Sequence, residues 1–258
     1  MRKKSRVVSP GLWTVLILAL AVVLWEAASW GEGWNLFFFS RPRLVWAEFL
    51  DMVHRGLLGK HFAVTLKEAG LGLFWGGLLG VLVGFWLGTH EGTSRAVMPL
   101  LTGLNGLPKL ALGPLIIIWF GIGLKSKAVI AGLMVFFIFV FNLYAGLRSV
   151  DRELPLAVKL LGGTPGQVLR LVLLPASVPW LLASLRSSLG LALSGAIVGE
   201  YLGAGQGMGW LIANAGERYD VEQVLCCVLL IVVLVAVLDG VVRLLEKRLL
   251  RWRDSEQV

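Results

Sequence analysis

SVDRELPLAVKLLGGTPGQVLRLVLLP, residues 149–175, interrupts a chain that otherwise runs from one apolar stretch to the next. Its first half reads as a helix closing on Gly162 and Gly163, because glycine tolerates the left-handed conformation that ends helices. A second helix starts almost at once. Thr164 can act as its N-cap, Pro165 occupies the first helical position where a missing N–H costs nothing, and Gln167 completes a T-x-x-Q capping box. Val168, Leu169, Val172 and Leu173 lie on apolar positions while Gln167 and Arg170 stay polar. Pro175 and Pro179 are expected to break regular helix before the next apolar run. The segment therefore specifies helix, sharp turn, helix. A lipid-surface anchor would explain its apolar positions, but an anchor needs no capped reversal, whereas a knuckle fitting a groove on another protein does.

The runs on either side set the class. The chain has 258 residues, 57% of them hydrophobic and 16% charged, with a mean hydropathy of +0.80. Several runs approach the roughly 20 residues that a bilayer-spanning helix needs, and the charges cluster between them. This is an all-α integral membrane protein. Six spans are predicted, at about 11–30, 69–88, 96–121, 128–147, 177–199 and 221–242. The basic N-terminal stretch resembles a signal peptide, but no small-residue cleavage site clearly follows, so it reads as an uncleaved first span. The organisation expected is a tail at 1–10, a transmembrane domain at 11–246 containing the loop at about 148–176, and a second tail at 247–258.

An even number of spans places both termini on one side, and both are basic: Arg2, Lys3, Lys4 and Arg6 at the start, Arg243, Lys247, Arg248, Arg251 and Arg253 at the end. Both are therefore expected in the cytoplasm, with the opening segment beside them. The first external connection, carrying Arg41, Arg43, Arg55, Lys60 and Lys67, fits this bias least. The net charge of +8 follows from span orientation and does not require a nucleic-acid partner. Cys226 and Cys227 are adjacent in an apolar run, where packing suits them better than a disulfide or a metal.

Few residues carry candidate chemistry. Lys109 falls in the middle of a span, between Pro108 and Pro114 and close to Asn105. Broken helices at membrane depth tend to line cavities, so Lys109 either faces a pathway suited to an anion or pairs with a carbonyl. Arg186 is a second intramembrane cation, read as an anchor near the cytoplasmic end. Glu200 is placed near the external end of its span, where a carboxylate can reach water, with a gating role as the alternative. The glycines of GAGQGMG, 203–209, are expected to permit a tight turn, since no Walker pattern or βαβ unit accompanies them. No metal-ligand cluster or catalytic constellation stands out, so no enzyme chemistry is expected of the chain.

The opening segment resembles the cytoplasmic loop of ABC-importer permeases, whose pattern is E-A-A, three residues, Gly, nine residues, Ile, one residue, Leu-Pro. Aligned on Leu174 and Pro175, Gly162 takes the glycine, Val172 the isoleucine, and Leu156, Ala157 and Val158 the E-A-A. Leu156 thus replaces the glutamate. The resemblance extends over nearly the whole chain and is nearest to the nitrate, sulfonate and taurine branch, through LPKLALGPLIIIWFGIGLKSK (107–127) and LLASLRSSLGLALSGAIVGEYLGAGQGMGWLI (181–212). It implies a type I importer permease fold and a homodimer served by two cytoplasmic ATPase subunits and an external solute-binding protein. ATP and magnesium would belong to the ATPase, and the chain would hold no cofactor. Ala157, Gly162, Gly163, Thr164, Pro165, Gln167, Arg170 and Pro175 would form the ATPase-coupling loop. The substrate would be a small solute, most simply an anion such as a sulfonate, taurine or nitrate. A secondary transporter or channel needing no ATPase is the competing reading.

Overall fold

The computed structural model describes residues 10–29 and 40–249. Nearly all of the two expected tails, and Trp30, lie outside them. The helices are α1 (Pro10–Ala28), α2 (Pro42–His54), α3 (Leu57–Thr89), α4 (Glu91–Asn105), α5 (Gly113–Phe120), α6 (Leu124–Arg148), α7 (Glu153–Leu160), α8 (Pro165–Val168), α9 (Leu174–Gly203), α10 (Met208–Glu217) and α11 (Val221–Leu249). A 3-10 turn at Lys109–Leu112 precedes α5, and a π turn at Leu169–Leu173 precedes α9. Helix is what a chain in lipid must form, because each backbone N–H and C=O then finds its partner within the segment.

Four of the described helical runs are long and apolar enough to cross a membrane, at Leu57–Thr89, Leu124–Arg148, Pro165–Gly203 and Val221–Arg248. The pair Glu91–Asn105 and Lys109–Phe120 forms a fifth, bent by 79°. Within α1, Leu16–Ala28 is a shorter apolar helix. The fold is thus the predicted all-α membrane architecture.

The described residues fall into two compact units. The first comprises the described residues up to 58, with 211–230. Within it α2 is amphipathic, burying Val45 and Met52. Burial pushes the Glu48 carboxyl upward, reinforced by Asp220 and opposed by Arg55. Cys226 and Cys227 are free thiols buried among the apolar residues of α11, in keeping with a packing role.

The second unit comprises 59–210 and the described residues from 231 onward. Its core joins Ala69 of α3, Ala131, Val135 and Phe139 of α6, and Ala192, Leu193 and Ala196 of α9. Small residues let these helices approach closely. A Cβ added at Gly76 would stand 2.3 Å from the Gly132 carbonyl oxygen, one at Gly80 2.7 Å from the Phe136 carbonyl oxygen, and one at Gly195 2.6 Å from the Ala131 Cα. In lipid there is little hydrophobic drive between spans, so such close contact supplies much of their association.

Two expectations need correction. The helix that carries the second span begins well before Ala69: α3 starts at Leu57, directly after Gly56 turns the chain with φ of +68°. Lys60, Lys67 and Glu68 therefore belong to a helix and not to a connection. Glu68 is tolerated there because it is paired with Lys127. Pro175 and Pro179 do not end the helix ahead of the fifth span either: the run is helical from Pro165 to Gly203, and its regular α pattern gives way only to the π turn at Leu169–Leu173. The π turn ends just before Pro175, and the i to i+5 pattern opens the backbone where a proline cannot donate.

Candidate functional site

The 149–175 segment folds as its local signals dictate. Asp151 sits just ahead of α7, its Oδ1 accepting from the Glu153 N–H at 3.0 Å. At the far end Gly162 adopts φ of +81°. The N–H of Gly163 donates to the Val158 carbonyl at 2.9 Å and that of Gly162 to the Lys159 carbonyl at 3.0 Å. This closure satisfies carbonyls that a helix end leaves unpaired. The capping box is formed: Thr164 N–H donates to Gln167 Oε1 at 2.7 Å, and Gln167 N–H donates to Thr164 Oγ1 at 3.3 Å. Pro165 stands in the first turn of α8.

The result is a hydrogen-bonded projection with an apolar tip. Leu160 is 79% exposed and Leu161 89%. Leu154, Leu156 and Leu171 are exposed beside them, whereas Val168 is buried and anchors the base. Ala157, Gly162, Thr164, Pro165, Gln167 and Arg170 are all at the surface. A groove of about 630 Å³ separates Pro165, Leu169 and Leu173 from Phe85, Trp86 and His90 at the end of α3. Arg148 fixes the approach to the segment, donating to Ser94 Oγ at 2.9 Å.

The broken span holds the second group of expected residues. α4 ends at Asn105 and the backbone turns through Pro108. Pro114 breaks nothing, because it lies in the first turn of α5. Lys109 Nζ donates to the Asn105 carbonyl at 2.9 Å and to Asn105 Oδ1 at 2.8 Å, and stands 5.0 Å from the centre of the Phe137 ring. Lys109 thus closes the carbonyl end of α4 with its own ammonium, a favourable place for a cation. Arg186 is ion-paired, with Nε 2.7 Å from Asp239 Oδ1, and Arg243 reaches the other oxygen of Asp239 at 2.8 Å.

Glu200 is not at a wet helix end. It is 1% exposed and lies in a polar cluster with Thr65, Glu68, His61 and Lys127. Thr65 Oγ1 donates to Glu200 Oε1 at 2.6 Å, and the Gly209 N–H donates to Oε2 at 2.6 Å. Lys127 Nζ lies 2.9 Å from Glu68 Oε1. The residues added to the expected set are therefore His61, Thr65, Glu68 and Lys127. One signal for three of them is visible: 61, 65 and 68 share the i, i+4, i+7 face of a helix once α3 is begun at Leu57.

Breaking the buried pair has a definite expected cost. Lys127→Met leaves Glu68 uncompensated and should destabilise the folded chain by about 3–5 kcal/mol. The Glu68→Leu, Lys127→Met double variant should recover most of that loss. Thermal unfolding in detergent, followed for both variants and the parent, checks the difference.

Comparison with known proteins places these features in a family. Residues 76–251 match the family described as binding-protein-dependent transport system inner membrane component. A Bacillus subtilis permease protein named for aliphatic sulfonates transport is 31% identical over 93% of this chain and 87% of its own length. The riboflavin transport system permease protein of Chloroflexus aurantiacus is 32% identical over 99% of this chain and 95% of its own. Among solved structures, an inward-facing MetNI methionine ABC transporter superposes with a TM-score of 0.64, covering 76% of this chain and 97% of that one at 21% identity.

Proposed function

The chain belongs to the binding-protein-dependent transport system inner membrane components, and from that premise we propose how it works as the permease subunit of an ABC importer. Two copies form the pathway. Two ATPase subunits, which carry the ATP and magnesium, dock on the 149–175 projections in the cytoplasm. An external binding protein delivers the solute at the other face, and both termini of the chain lie in the cytoplasm. The observation that carries this reading is the projection itself. Its glycine closure, capping box and exposed Leu160 and Leu161 make a preorganised surface that buries little of its own apolar area. Docked in a cleft, it passes opening and closing of the ATPase to the spans as rigid-body motion.

The bend between α4 and α5 contributes to the pathway, with Asn105, Pro108, Lys109 and Pro114 at the turn. Lys109 presents a cation whose position Asn105 holds, which suits a small anion, and an aliphatic sulfonate is the substrate this favours. The riboflavin permease among its relatives indicates that membership alone does not choose the solute. Lys109→Met should lower uptake of the anion by about tenfold, the loss of one charged hydrogen bond, with ATPase binding unchanged. Unchanged uptake would leave Lys109 as a helix-end partner only.

Gentle-detergent isolation of the tagged chain from native membranes tests the assembly. A Walker-motif ATPase is expected to accompany it, and uptake is expected to stop on ATP depletion. Recovery of the chain alone, with uptake that survives ATP depletion, would favour a secondary transporter.

A further inference from the structure

The polar cluster around Glu200 is built from residues outside the 149–175 segment. Three successive backbone amides, those of Gly207, Met208 and Gly209, are each taken by a different side chain. The Gly207 N–H donates to His61 Nδ1 at 2.9 Å, the Met208 N–H to Thr65 Oγ1 at 2.9 Å, and the Gly209 N–H to Glu200 Oε2 at 2.6 Å. His61 also stacks on Trp210, with ring centres 5.4 Å apart. The acceptors come from α3 and α9, and the Glu68–Lys127 pair ties α3 to α6 directly beside them. Thr65, Glu68, Glu200, His61 and Lys127 are all at most 6% exposed. Gly207 is required at this point: its φ is +113°, and a Cβ there would overlap the Glu200 carboxyl.

A staple for three spans could be built from apolar packing at less cost, because ionisable groups within a membrane are expensive to bury. This cluster instead grips a turn. Beneath the turn lies a cavity of about 350 Å³, lined by Lys67, Glu68, Lys127, Gly205 and Gln206 among others. The arrangement also sets the buried Glu68 carboxyl beside that of Glu200. One of its anchors, Glu200, sits near the end of the helical run Pro165–Gly203, which begins at the capped projection. That run of 39 residues spans roughly 58 Å at 1.5 Å per residue.

Resting on the importer reading above, we propose that the 204–209 turn is a latch over the mouth opposite the coupling loop. His61, Thr65 and Glu200 hold it shut, and motion of the α9 rod releases it. Thr65 and Glu200 are positioning residues: they set when the mouth opens and need not touch the solute. In the released state the turn swings from the cavity, uncovering the buried Lys127 beside the already exposed Lys67, two cations for an arriving anion.

The test uses the assembled transporter with its ATPase and binding protein. Thr65→Val removes the hydroxyl at nearly constant volume, and Thr65→Ser keeps it. In Thr65→Val, solute moved per ATP should fall by about tenfold, while ATP hydrolysis without the binding protein should rise, as expected for loss of a buried hydrogen bond. Thr65→Ser should restore both towards the parent. A merely structural threonine would lower the amount of transporter and leave solute moved per ATP unchanged, and that result would overturn the latch. In a Cys226→Ala, Cys227→Ala background, Lys67→Cys and Gln206→Cys should cross-link at rest and fail to do so after trapping with ATP and vanadate. Cross-linking that ignores the nucleotide in a transporter still active with ATP would overturn the latch alone. Absence of any ATP-driven uptake would overturn the importer reading instead.

Discussion

A Gly162→Val, Gly163→Val variant should stay inserted in the membrane and lose at least about tenfold of its ATP-driven uptake, because an L-residue in the left-handed conformation costs about 1–2 kcal/mol and a second clash adds to it. Gly162 sits at φ of +81°. A Cβ on Gly163 would stand 2.6 Å from both Val158 Cγ1 and the Val158 carbonyl oxygen. Either change reopens the α7 closure and tilts the projection, while the spans and their core are untouched. Hydrolysis should therefore continue without solute movement, which distinguishes uncoupling from unfolding. Uptake and hydrolysis measured on the same vesicles separate the two. Normal uptake by this variant would remove the projection from the mechanism.

The second large effect lies in the core. Gly76→Leu should prevent α3 from seating on α6 and leave little folded protein. The added Cβ alone would come within 2.3 Å of the Gly132 carbonyl oxygen, with the Gly132 Cα 2.7 Å away. Backbone cannot yield as a flexible side chain can, so the penalty should exceed the roughly 1–3 kcal/mol usual for an overpacked site. Gly92, which has nothing within 4 Å of an added Cβ, provides the control: Gly92→Leu should leave the yield near that of the parent. Equal yields for the two variants on size-exclusion chromatography would mean that close helix contact contributes little to assembly.

What could be read from the sequence was local. The closure on Gly162, the Thr164–Gln167 box and the break at Pro108 each depend on residues a few positions apart, and each is present in the structure. What escaped the reading was long-range. Thr65 and Glu200 are 135 residues apart, and Glu68 and Lys127 are 59 apart. A charge inside an apolar run reads as the end of that run unless its partner is known, which places Lys60 and Lys67 in a connection when only the sequence is read. For the same reason Glu200 was expected at water, although the amide of Gly209 and the hydroxyl of Thr65 take the place of solvent. Proline is a second such case: Pro175 is expected to stop a helix, but the π turn before it supplies the room.

The central claim is that the exposed tip of the projection meets an ATPase. A photo-crosslinking amino acid placed at Leu161, 89% exposed at the tip, and activated in intact cells tests this directly. The account predicts one dominant adduct, to a Walker-motif ATPase, that is lost in the Gly162→Val, Gly163→Val variant. Adducts confined to lipid, or to the permease itself, would contradict it.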